Sequence, residues 1–160
     1  MHLVDVNVLV YAFREDAPRH ADYRRWVQSL VSSDEAYAVS HQVLSGFLRV
    51  VTHPLVFHPP TPLEPALAFA DAFRDRPNAA LVAPGGRHWE IFTVLCREAD
   101  ARGNLIPDAW LAALAIESGC EFVTTDRDYA RFSRLRWRHP PAPGIRSGTG
   151  AIPRWSHRVT

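Results

Sequence analysis

The chain has no lysine. That absence excludes two chemistries: a phosphate-binding P-loop needs its lysine, and Schiff-base catalysis needs a lysine amine. Cysteine is scarce, with only Cys96 and Cys120. Two thiols cannot build a disulfide framework or a zinc finger of paired ligands, so a reduced, cytoplasmic protein is expected. Long apolar runs are also missing. Leu111–Ile116 is typical of the longest, far short of the ~20 residues that cross a bilayer. The first five residues, Met1 to Asp5, carry no basic stretch ahead of an apolar one, so no signal peptide is expected.

What is present reads as one soluble domain. The 160 residues are 47% hydrophobic and 22% charged, which suits one ordinary core. All 18 basic residues are arginines, and they are unevenly placed. Residues 127–160 carry eight of them against the single acid Asp128, a net of +7, whereas the first 126 residues net −6. A nearly neutral total therefore hides an acidic body and a basic end.

Hydrophobic patterning alternates strands with helices. His2–Phe13 is nearly continuous in apolar residues and reads as a strand buried on both faces. Pro18 suits the start of a helix reaching Val31. Short strands follow at Ala36–Ser40 and Ala79–Ala83, then at Glu121–Thr125 and Leu135–Arg138. Between them lie helices at His41–Val51, capped by Ser40, at about 63–74, at Arg87–Arg102 and at Asp108–Glu117, opened by Pro107. From His139 onward Pro and Gly crowd the text, and residues 140–160 read as a flexible basic tail. Alternating strands and helices predict an α/β fold with a parallel sheet, and ligands in such sheets sit beyond the carboxyl ends of the strands.

Four acids are candidates for that edge. Asp5 lies inside the most apolar segment, where a lone ionised carboxylate is expensive. Asp108 opens a helix, Asp126 directly follows a strand, and Asp128 is two residues on. Clustered carboxylates repel by ~1–4 kcal/mol per pair at effective dielectrics of 80–20. A hard divalent ion such as Mg²⁺ or Mn²⁺ relieves that repulsion and selects oxygen ligands. Asn7 and Thr125 stand beside the acids as candidate groups to orient them.

Three stretches carry a resemblance: Leu3-Val-Asp5-Val-Asn7-Val-Leu9, Gly103-Asn-Leu-Ile-Pro-Asp108 through Glu117, and Thr124-Thr-Asp126-Arg-Asp128-Tyr through Phe132. In order and spacing they resemble a PIN domain, more narrowly a VapC-type ribonuclease toxin, over residues 1 to about 139. The resemblance implies a three-layer α/β/α sandwich with a mainly parallel sheet of about five strands. It also implies cleavage of cellular RNA dependent on Mg²⁺ or Mn²⁺, homodimerisation, and a VapB-type antitoxin partner. The matching metal-site acids are Asp5, Asp108 and Asp126, with Asp128 peripheral.

The chain departs from that pattern once. The family's early glutamate on the helix after the second strand falls at Gly46, and no acid lies between Ala36 and Pro62. This weakens the case for a second metal ion. It also keeps open a competing function, a catalytically weakened PIN fold that only binds RNA or protein. If the helix register is as read, Gly46 faces the acids, and a glutamate there would complete the set. The arginines Arg127, Arg131, Arg134, Arg136 and Arg138, with Trp137 among them, suit phosphate contact and base stacking.

Overall fold

The computed structural model describes residues 1–140. The tail assigned to residues 140–160 lies outside them from residue 141 on. The elements are β1 (His2–Val4), α1 (Val6–Phe13), α2 (His20–Val31), β2 (Tyr37–Val39), α3 (His41–Val51) and α4 (Leu63–Arg74). They continue with β3 (Ala79–Leu81), α5 (His88–Glu98), α6 (Leu105–Glu117), β4 (Glu121–Val123), a 3₁₀ turn (Arg127–Arg131) and β5 (Trp137–Arg138). The strands form one sheet in the order β3-β2-β1-β4-β5, and every pairing is parallel. α1 packs on α2 and α3, and α3 on α4; α5 packs on α6, which lies against β4 and the 3₁₀ turn. The three-layer α/β/α architecture expected from the sequence is the one observed.

The largest departure is at the start. The apolar run His2–Phe13 is not one strand but a three-residue strand and an eight-residue helix. The break is Asp5, with extended dihedrals, whose Oδ1 accepts from the Val6 amide at 2.7 Å and caps α1. A helix buried on nearly every side needs no polar stripe, so its sequence looks like that of a buried strand. Val8, Leu9, Val10 and Ala12 are all buried in this helix.

Elsewhere the boundaries move by a few residues. α2 begins at His20 rather than Pro18, after Arg19 in a left-handed conformation at φ 58°. α5 stops at Glu98, just before Asp100, which has φ 46°. α6 starts at Leu105, which places Pro107 inside its first turn, where the missing amide costs no hydrogen bond. Four of the strands are only three residues long, shorter than expected. Ser40 caps α3 as anticipated, its Oγ accepting from the Gln42 amide at 3.3 Å.

Close contact between α1 and α3 accounts for the glycine in the middle of α3. A Cβ at Gly46 would lie 2.8 Å from Val6 Cγ2, and the three atoms nearest to it all belong to Val6. Val6 is β-branched and helical, so its χ1 has little freedom to yield. Gly46→Ala should therefore destabilise the protein by about 1 kcal/mol, although helix propensity alone favours alanine by about that amount. In a Val6→Ala background the same change should be neutral or stabilising. Urea denaturation of the four proteins of this cycle measures both effects, and a gain in stability from Gly46→Ala alone would show that the contact is not limiting.

Candidate active site

Parallel pairing brings the acids to one edge. β1 and β4 are neighbours in register, Val4 opposite Val123, so the residues that follow them, Asp5 and Thr124, leave the sheet side by side. Asp126 comes two residues later, and the first turn of α6, which packs on β4, carries Asp108.

Asp5 is held tightly. It is only 4% exposed. Its Oδ1 accepts from the Val6 amide, and its Oδ2 accepts from Thr124 Oγ1 at 2.6 Å. Thr124 is fully buried, and its Oγ1 in turn accepts from the Asp126 amide at 3.0 Å. One hydroxyl therefore ties the side chain that follows β1 to the backbone after β4. Asp126 Oδ1 accepts from the Asp128 amide at 2.8 Å and caps the 3₁₀ turn. Asp108 Oδ1 accepts from the Tyr129 hydroxyl at 3.3 Å.

The electrostatics follow from burial. Loss of water pushes the Asp5 carboxyl up to about 7; the charges of Asp108 and Asp126 push the same way, and the bonds from Thr124 and Val6 oppose them. Asp108 is also raised to about 7, first by burial, then by Asp126 and more weakly by Asp128, with the Tyr129 bond opposing. Arginine does not figure among the causes for either acid. Asp128 is exposed and acts on Asp108 through its charge.

The donor set is all carboxylate oxygen, and no side-chain cation among the described residues offsets the charge of Asp5 and Asp108, which suits a hard divalent ion. As the side chains stand, no group of three acids, histidines or cysteines among the described residues is close enough to hold a metal ion. The donors therefore match the ion in chemistry and charge, while their spacing is looser than a closed coordination sphere.

The sequence named the wrong threonine. Thr124, not Thr125, reaches Asp5; Thr125 bonds Tyr11, whose phenol is raised to about 12 mainly by burial. Asn7 makes no hydrogen bond to the acids. Strand register, which sequence does not show, decides which threonine meets Asp5. The atoms nearest a Cβ at Gly46 belong to Val6, the neighbour of Asp5, so a side chain there would press on the first turn of α1, the turn that Asp5 caps.

The arginine run divides. Arg138 pairs with Glu121 at 2.9 Å, and Arg136 donates to the Gly119 carbonyl at 2.9 Å. Gly119 precedes β4 and Glu121 begins it, so both guanidinium groups are drawn to the opposite end of the sheet from the acids. Arg131 donates to the Ala99 carbonyl at 2.9 Å. Arg127 and Arg134 are exposed. Trp137 is partly buried against the core.

The PIN domain family matches residues 2–135. This chain belongs to that family. It is 49% identical over 140 residues to VapC ribonuclease Mb2897 of Mycobacterium bovis, covering 88% of this chain and 95% of the relative. It is 43% identical over 141 residues to ribonuclease VapC25 of Mycobacterium tuberculosis, covering 88% and 99%. Among solved structures, VapBC2 from Rickettsia felis bound to a promoter DNA fragment is similar in fold. Its TM-score is 0.65 at 20% identity, over 86% of this chain and 97% of that one.

The raised acids make stability depend on pH. An acid whose folded pKa lies above its unfolded value binds its proton more tightly when folded. Stability is then greatest below the unfolded value near 4 and falls as pH rises toward 7. The metal-free PIN domain should thus melt at a higher temperature at pH 5 than at pH 8. Asp108→Asn should flatten that dependence and raise the melting temperature at pH 8. Calorimetric melts in chelator across this range test it, and an unchanged slope in the variant would place the raised acid elsewhere.

Proposed function

We propose that this PIN-domain protein is a metal-dependent endoribonuclease that cleaves cellular RNA, the toxin of a VapBC-type toxin–antitoxin pair. The observation that carries the reading is the acid edge: buried Asp5 and partly buried Asp108 are both raised to about 7, with no guanidinium among the described residues offsetting them. Such an edge repels a phosphodiester until a cation is present.

Asp5, Asp108 and Asp126 would hold Mg²⁺ or Mn²⁺, with Asp128 assisting from the rim. The bound ion supplies a water of lowered pKa and neutralises charge on the scissile phosphate. Thr124 keeps the Asp5 carboxylate turned in one direction and fixes the backbone entering Asp126. Arg127 and Arg134, exposed on and just after the 3₁₀ turn, are free to meet backbone phosphates. With Gly46 in place of the family's glutamate, three carboxylates suit one divalent ion better than two.

An antitoxin partner fits a groove away from the acids. A cavity of about 420 Å³ between α1, α2 and α4 is floored by Phe13, Val27, Phe69 and Phe73, with Arg24 and Arg76 also lining it. Homodimerisation belongs to the same reading; Trp89, 65% exposed, is a large apolar side chain left for such a contact. The two cysteines are free, and no helix among the described residues is long and apolar enough to cross a membrane.

The second reading, a PIN fold that binds RNA or protein without cutting, is favoured by Gly46 and by the loose spacing of the acids. A cleavage assay on RNA with Mg²⁺ or Mn²⁺ separates the two. The toxin reading expects cleavage that chelator stops and that Asp5→Asn lowers by at least 100-fold. RNA binding with no cleavage at any metal concentration would sink it in favour of the binding module.

Arginine roles are separable by salt. Replacing Arg127 and Arg134 with alanine should reduce the salt dependence of RNA binding, by up to ~0.7 in logarithmic slope per lost contact on single strands. Arg138→Ala, which breaks the pair with Glu121, should leave that slope unchanged. Equal slopes for all three proteins would remove Arg127 and Arg134 from the RNA surface.

A further inference from the structure

Tyr129 is buried to 1% exposure within the 3₁₀ turn that Asp126 caps. Its ring is clamped between Phe122, at 4.6 Å between centroids, and Phe132, at 5.9 Å and edge-on. Packing sets both side-chain torsions, so the hydroxyl has a fixed location. The ring alone would satisfy that packing, and phenylalanine would fill the same space without a polar atom to bury. A buried phenol must find a partner. This one finds the Asp108 carboxylate on α6.

The three acids differ in how they are held. Asp5 has two donors, the Val6 amide and Thr124 Oγ1, and Asp126 accepts from the Asp128 amide in its own turn. For Asp108, the side-chain bond found is the one from Tyr129. Asp108 is only partly buried, so without that donor its carboxylate has room to turn. At 3.3 Å the bond is long for a hydroxyl donor, whose usual distance is ~2.7–2.8 Å. It contributes little to fold stability, and its effect lies in direction.

Building on the metal-dependent reading above, we propose that Tyr129 is a positioning residue: its hydroxyl holds Asp108 Oδ1 and so limits how the Asp108 carboxylate can turn when a divalent cation binds at the acid edge. The same contact joins the turn carrying Asp126 to the helix carrying Asp108, so two acids are set by one side chain. Groups that orient metal ligands typically matter by ~10–100-fold in affinity or activity.

The test is Tyr129→Phe, which removes one oxygen and keeps the ring. Calorimetric titration of Mn²⁺ should show affinity weakened about tenfold. The metal-free melting temperature and near-ultraviolet circular dichroism should stay close to wild type. In RNA cleavage kcat should fall with KM nearly unchanged, and excess Mn²⁺ should restore part of the rate. Mn²⁺ affinity within twofold of wild type would overturn the proposal, as would a Tyr129→Phe protein that no longer folds, since the hydroxyl would then be structural. Asp108→Asn serves as control. If it loses Mn²⁺ binding while Tyr129→Phe does not, only the positioning role falls. Wild-type protein that binds no Mn²⁺ would remove both this role and the metal-dependent reading.

Discussion

A carboxylate kept out of water, at the point where a strand becomes a helix, is the constraint around which the rest of the structure is arranged. Asp5 ends β1, caps α1 and receives the Thr124 hydroxyl from the neighbouring strand. Each of those contacts favours the charged form, yet burial and the nearby acids outweigh them and hold its pKa near 7. The fold thus holds a local electrostatic cost at one edge of its sheet. Sites that pay such a cost are where function concentrates.

Parallel strands make the arrangement natural. Every strand leaves the sheet at the same edge, so residues 5 and 126 can be neighbours through β1 and β4, and the helix packed on β4 adds residue 108. The polar groups around the acids come from the same junctions. Thr124 is the residue after a strand, and Tyr129 sits in the turn that follows. Substrate charge has to be managed separately. The guanidinium groups of Arg136 and Arg138 serve the far end of the sheet, whereas Arg127 and Arg134 are exposed.

Gly46 links packing to chemistry. At this position α3 comes close enough to α1 that even a Cβ would meet Val6. The position adjoins the first turn of α1, so a side chain there would disturb the cap that Asp5 provides.

Much of this was legible in the residues alone. α3 and α4 stand where their periodicity puts them, Ser40 caps as its hydroxyl suggests, and Asp5 is marked by a carboxylate inside an apolar run. Local signals sufficed because capping, periodicity and the cost of a lone charge act within a few residues of chain. Other features needed the folded molecule. An all-apolar segment does not distinguish a buried strand from a buried helix, so α1 was hidden in the run beginning at His2. The choice of Thr124 over Thr125, the Tyr129 bond to Asp108, the commitment of Arg136 and Arg138 to Gly119 and Glu121, and the contact of Gly46 with Val6 all depend on register and on the approach of elements far apart in sequence. Those distances are set by packing the whole core, and no local pattern encodes them.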